Sequence, residues 1–228
     1  MRLFPLAATV AALALSACAT GPGYDGPRLK PAANPSAVIA SELAFARLAK
    51  EKGQWSAFRA TSTADAVMFV PQRANAQAWL KGRADPAKSV SWHPDAVWSS
   101  CDGSYAVSQG HWQSGNSSGG FVTVWQRQGD ERRPDDYKWV LDMSVTTEHR
   151  ESPDETIAAK VSACSPPAMM SPPPPRPEGL DTATAYSRDK TLRWTSTVRT
   201  DRSRRILVES WNGSAFDKVL ELDGRDVE

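Results

Sequence analysis

Gly119-Gly-Phe-Val-Thr-Val-Trp-Gln-Arg127 and Tyr137-Lys-Trp-Val-Leu-Asp-Met-Ser-Val145 decide the fold of this chain. Both runs are rich in β-branched and aromatic residues. They flank a polar insert, 128–136, that contains Gly129 and Pro134. That pattern predicts a long β-hairpin. Strict alternation puts Phe121, Thr123 and Trp125 on one face of the first arm. In the second arm it puts Trp139, Leu141, Met143 and Val145 on one face, with Val140 and Asp142 on the other. A carboxylate set among bulky apolar neighbours in a strand is either a functional group or a core-edge residue with a hydrogen-bond partner.

Upstream of the hairpin, Val97 to Cys101 reads as a strand ended by Asp102-Gly103, a tight-turn pair. Residues 105–112 return antiparallel to it, and 113–120 read as a glycine- and serine-rich loop. Further back, a helix is predicted over 36–52, between Pro35 and Gly53. At helical spacing Val38, Ile39, Phe45, Ala46 and Ala49 share a stripe, with Leu43 and Leu48 at its margins and Glu42 near its middle. Glu42 therefore points at the interior or at a cavity in it; the alternative is that it caps a backbone group or pairs with an arginine. Residues 54–60 form a second helix carrying Trp55 and Phe58. A strand at 65–70 stops at Pro71, and a short helix at 74–81 carries Trp79.

This order, with its residues, resembles the nuclear transport factor 2-like superfamily, nearest to its bacterial SnoaL-like members. The matching marks are Glu42-Leu43-Ala44-Phe45-Ala46, Lys52-Gly53, Ala57-Phe58, Phe69-Val70-Pro71 and Trp92-His93-Pro94. Further along come Asp102-Gly103, Gly110-His111-Trp112, the run from Gly120 to Arg127, and Trp139-Val140-Leu141-Asp142. The resemblance implies an α+β fold in which a cone-shaped, curved antiparallel sheet wraps around N-terminal helices and leaves a pocket at its wide end. Such cones serve enzymes, binding proteins and assembly modules, so the fold leaves the function open. The tyrosine and two acids of the steroid isomerase members do not map residue by residue onto this chain.

The chain ends supply the address. Residues 1–17 read as a signal peptide, and Leu15-Ser16-Ala17-Cys18 resembles the lipobox of bacterial lipoproteins. By that resemblance the mature protein begins at Cys18, lipid-modified, in the cell envelope, and Ala19 favours the outer membrane. Residues 18–35 form a flexible tether and 36–151 the cone domain. Ser152-Pro153-Asp154-Glu155 opens a capping helix predicted over 152–164. A proline-rich linker covers 165–179, and a three-stranded β-meander covers 180–228, turning at Asn212-Gly213. The meander is expected to dock on the cone through Trp194 or Trp211, and a monomer is favoured over a homodimer. Arg199, Arg202, Arg204 and Arg205 near its first turn either face anionic head groups or decorate a solvated hairpin end.

The remaining cysteines, Cys101 and Cys164, read in an exported protein as a disulfide or as two buried thiols. The net charge of +1, from 27 basic and 26 acidic residues, is unlike that of a nucleic-acid binder. No metal-ligand spacing or phosphate loop occurs around His93, His111 or His149, so no cofactor and no metal are expected. Candidate catalytic groups are Asp142 and Glu42 as base, with His93 or Tyr105 as acid. Candidate pocket residues are Trp55, Phe58, Phe69, Trp79, Trp92, Trp112, Trp125 and His111. The preferred reading is a cone that binds a small apolar or amphipathic ligand, or a partner, without turnover. Acid–base catalysis (proton transfer, dehydration or hydrolysis) and a structural module with a filled cone stand beside it.

Overall fold

The computed structural model describes residues 33–128, 136–147, 156–165 and 179–225. The stretch expected to be a signal peptide, Cys18, the expected tether to residue 32, His149, the capping box expected at Ser152–Glu155 and most of the proline run lie outside the described residues.

The first helix, α1 (Pro35–Lys52), starts one residue earlier than predicted because Asn34 caps it, its Oδ1 accepting from Ala37 N at 3.3 Å. Gly53 ends it at a φ of 101°, a left-handed value that glycine adopts without strain. The helix buries Val38, Glu42, Phe45, Ala46 and Ala49, the predicted stripe apart from Ile39, which is only partly buried. There follow α2 (Gln54–Thr61), β1 (Ser62–Phe69), β2 (Arg73–Asn75) and α3 (Ala76–Leu80).

Four strands then run as a meander: β3 (Ser91–Ser99), β4 (Tyr105–Ser114), β5 (Ser117–Arg127) and β6 (Tyr137–Thr146). The stretch read as a loop at 113–120 is instead mostly strand, with a tight turn at Gly115 and Asn116. The sheet has seven strands in the order β2-β1-β6-β5-β4-β3-β7, where β7 is Ala158–Val161. Its centre is antiparallel as expected, but β1 joins β6 and β7 joins β3 in parallel. The sheet is therefore mixed.

The hairpin departs from strict alternation at one residue. Val124 pairs with Leu141 and Trp125 with Trp139, which leaves Val140 as a bulge in β6. Trp139 keeps to the concave face and packs with α1 and α2 in a core that includes Phe45, Ala57 and Trp125. Leu141 and Met143 turn instead to the convex face. The single predicted face for Trp139, Leu141 and Met143 is thus split, and Asp142 moves to the side of Trp139.

Two expectations for the C-terminal part are corrected. Residues 158–161, predicted as helix, form β7, because their backbone finds unpaired partners along β3 from Ala96 to Ser99. The meander has four strands rather than three: β8 (Asp181–Tyr186), β9 (Leu192–Val198), β10 (Arg204–Trp211) and β11 (Phe216–Gly224), in the order β11-β10-β9-β8. This second sheet packs on the convex face of the first. Leu192, Trp194, Ile206 and Val208 share a core with Val107, Val122, Val124 and Met143. Cys101 and Cys164 form a disulfide that ties the turn after β3 to the end of β7. Of the four clustered arginines, Arg204 is fully buried and donates to Phe69 O at 2.6 Å. Arg199 pairs with Asp223 and Arg205 with Glu221, at 2.7 Å each.

Candidate functional site

Between α1, α2 and the concave face of the sheet lies a cavity of about 520 Å³. Its aromatic wall is Phe45 from α1, Phe58 from α2, and Trp92, Trp112 and Phe121 from β3, β4 and β5, and six polar side chains, among them Ser114 and Ser117, complete the lining. Gln54 sits beside it and accepts from Val90 N at 3.0 Å, fixing the start of α2 to the approach of β3. Asp142, Ser144 and Thr146 point in from alternate positions of β6, which is the face the Val140 bulge assigns them.

Trp112 reaches its place by crossing β5. Its Nε1 donates to Val145 O on β6 at 3.2 Å, and it can do so because Gly119 has no side chain in between. A Cβ on Gly119 would lie 2.6 Å from that indole nitrogen and would also collide with Val145 O. The glycine is fixed by this close approach.

Glu42 is fully buried behind this wall. Its Oε1 accepts from Trp92 Nε1 at 2.8 Å, and its Oε2 from Ser108 Oγ at 2.6 Å and Trp125 Nε1 at 3.1 Å. Neither a backbone cap nor an arginine is involved. Burial pushes its carboxyl above the usual range, while the three side-chain hydrogen bonds pull the other way. Asp142 is half-buried by surface yet packed closely by protein, and burial pushes its carboxyl up to about 7. The hydroxyl of Thr123, which donates to Asp142 Oδ2 at 2.9 Å, opposes that shift. The charge of Glu42 reinforces it and that of Arg204 opposes it.

The cone gathers part of the predicted set. Phe58, Trp92, Trp112 and Asp142 line the cavity, and Trp125 packs beneath it against Phe45 and Glu42. Trp55 and Trp79 meet edge to face at the helix edge, 5.3 Å between centroids. Phe69 belongs to the convex core. His93 and His111 face each other across β3 and β4, and His111 Nδ1 lies 3.0 Å from Asp95. Their register places both on the convex side, opposite to Trp92 and Trp112. Tyr105 is also convex, stacked on Trp194, with its hydroxyl accepting from Gln126 Nε2. Neither His93 nor Tyr105 therefore meets Asp142 or Glu42. Sequence reasoning missed Phe45, Phe121 and Ser144 as lining residues; their strand or helix phase relative to Glu42 and Trp125 was the available signal. Among the described residues no cluster of three or more His, Cys, Asp or Glu side chains could hold a metal.

No family model and no curated protein matches the chain. Solved structures do. A cystatin-like fold protein from Burkholderia xenovorans is 17% identical, with 50% of this chain and 92% of that one covered and a TM-score of 0.39. A ketosteroid isomerase-like protein from Parabacteroides distasonis is 16% identical, covering 53% and 98%, with a TM-score of 0.39. An NTF-2 like protein of unknown function from Burkholderia xenovorans is 16% identical, covering 52% and 88%, with a TM-score of 0.33.

Proposed function

We propose that the mature protein is a lipid-anchored envelope protein, held through Cys18, whose cone binds a small amphipathic ligand without turning it over. The observation that carries this reading is the character of the cavity. It is open, about 520 Å³, and its lining divides between five aromatic rings and six polar side chains, three of them on β6; an apolar wall with placed polar groups is the usual make-up of a small-molecule site. The Cys101–Cys164 disulfide accords with export to an oxidising compartment. A cone filled by its own side chains does not leave such a space.

A second reading, proton transfer with Asp142 as base, is supported by the place of Asp142 in the cavity wall, where burial pushes its carboxyl up to about 7, the range that suits a general base. Among the described residues that line the cavity there is no histidine or tyrosine, and in this reading the substrate or water serves as the partner acid.

The test has two parts. Full-length protein is isolated from its membrane, and the small molecules that co-purify are identified by mass spectrometry, with Ser144→Trp as the filled-cavity control. A compound enriched on the wild type and absent from the control is expected; equal recovery from both would refute binding in the cone. Cys18→Ser should release the protein from the membrane and abolish acyl labelling. Retention of both would remove the anchor.

A further inference from the structure

Three lines of geometry bear on the charge of the ligand. The first is the arrangement of the rings. Phe45, Phe58 and Trp92 all line the cavity and stand at steep angles to one another. Phe45 and Phe58 meet at 63° with centroids 4.8 Å apart, Phe45 and Trp92 at 68° and 4.9 Å, and Phe58 and Trp92 at 69° and 6.1 Å. The three rings pack edge to face and form an aromatic corner of the cavity wall, and aromatic surface of this kind attracts an ammonium group.

The second line is the direction of the indole N–H groups. Trp92 Nε1 is engaged by Glu42 and Trp112 Nε1 by Val145 O. Both donors thus point into the walls, and the rings offer carbon to the cavity. An indole that donates to a carboxyl is also polarised toward a more negative ring, which favours a cation over it.

The third line is the balance of charge. The described lining contains no lysine, arginine or histidine, and its only ionisable side chain is Asp142. Thr123 occupies Asp142 Oδ2; Oδ1 accepts no hydrogen bond among the described residues. The second acid, Glu42, lies behind Trp92 with three neutral donors. The cation felt at Asp142 is Arg204, which belongs to the second sheet on the convex side. An anionic head group entering the cavity would meet these acids and no cation. A hydrocarbon filling the cavity would displace water from Asp142 Oδ1 and offer it no partner in exchange.

We infer that the cone takes a cationic amine, a primary to quaternary ammonium on an apolar body, with the charge held between the Phe45–Phe58–Trp92 corner and Asp142. This rests on the ligand-binding reading and adds the chemical class of the ligand to it. The apolar body lies along Trp112 and Phe121.

Two probes of equal shape separate the inference from the reading beneath it: benzyltrimethylammonium and its uncharged isostere neopentylbenzene. Each is titrated at pH 8 into the full-length protein in lipid nanodiscs, followed by tryptophan fluorescence, with empty discs as the blank. The cation should bind about tenfold more tightly than the hydrocarbon, the scale of a desolvated cation–π contact joined to a carboxylate. Asp142→Asn should weaken the cation by about tenfold and change the hydrocarbon by less than about twofold. Retained hydrocarbon binding also verifies that the variant's cavity is intact. Equal or tighter binding of the hydrocarbon by the wild type, or an unchanged cation affinity in Asp142→Asn, overturns the cation assignment and leaves the binding reading standing. Failure of both probes to bind overturns the two together.

Discussion

The indole of Trp92 donates to the buried carboxyl of Glu42 at 2.8 Å, so the ring that walls the cavity is held in place by an acid on α1. Ser108 and Trp125 complete the set of donors. A leucine at this position would strand Trp92 Nε1, whereas Trp125 Nε1 keeps Ser108 Oγ at 3.0 Å and Ser108 Oγ keeps Thr123 O at 3.4 Å. Glu42→Leu should therefore destabilise the protein by about 1–3 kcal/mol in urea unfolding. Glu42→Gln, which retains an acceptor oxygen, should cost clearly less. Equal stability of Glu42→Leu and wild type would show that these hydrogen bonds do not hold the wall.

Asp142 links stability to pH. Its folded pKa of about 7 lies above the ordinary value of 3.8. Between those values the folded chain keeps a proton that the unfolded chain has released, so stability falls as pH rises through this window and levels above about 7. Glu42, also raised by burial, adds to the same slope. The groups bearing on Asp142 are Thr123 on β5, Glu42 on α1 and Arg204 on β10. Asp142→Asn should flatten part of the decline and stabilise the protein at pH 8 by about 1–2 kcal/mol, a figure discounted because cavity water reaches the carboxyl. Urea midpoints measured from pH 4 to pH 8 check the sign. A wild-type midpoint that climbs across this range would contradict it.

The disulfide closes 63 residues of sequence between Cys101 and Cys164. Replacing both by serine should cost about 2–4 kcal/mol, largely through a freer unfolded chain. The local effect should fall on β7. Its amides from 158 to 161 are expected to exchange faster than those of β4 and β5, because β7 is short, exposed and paired on one side by β3. Hydrogen exchange that rises uniformly over both sheets would instead show a global loosening.

Gly119→Ala tests the path of Trp112 across β5. The added methyl collides with Val145 O and crowds the indole, so Trp112 should leave its hydrogen bond and swing toward the cavity. We expect a loss of about 1–3 kcal/mol in stability and weaker binding of benzyltrimethylammonium. Gly115→Ala, at a turn with open space around it, should leave that binding unchanged. The two variants measured side by side separate the collision from a general loss of glycine.

Much of this architecture was legible from residue pattern because large apolar side chains wrote it: α1 from its stripe, β3 to β6 from alternation and turn pairs, Glu42 from its place inside the stripe. What escaped had little side chain to signal it. In β8, Asp181-Thr-Ala-Thr-Ala-Tyr186 carries no aliphatic core residue. Its pairing rests on backbone and on Thr182–Thr197 and Thr184–Thr195 hydroxyl contacts with β9, a partner known only after folding. In β7 the strong helix-start chemistry at 152–155 dominated the reading, while the vacancy along β3 that recruits Ala158–Val161 is non-local. The catalytic pairing of His93 or Tyr105 with an acid failed on parity: His93 follows inward-facing Trp92 by one position and Tyr105 precedes inward-facing Ala106 by one, so both side chains point to the other face.

The bulge at Val140 has a consequence for how this chain can change. Downstream of it, one run of alternating residues serves two opposed surfaces, acid and hydroxyls inward to the cavity, Leu141, Met143 and Val145 outward to the second sheet. Deleting that single codon would exchange the two sets, emptying the cup of its polar groups and setting them against the neighbouring sheet. Binding chemistry and the attachment of the C-terminal half are therefore inherited as one trait. Point substitutions can tune either surface alone, whereas an insertion or deletion in this strand should abolish both at once.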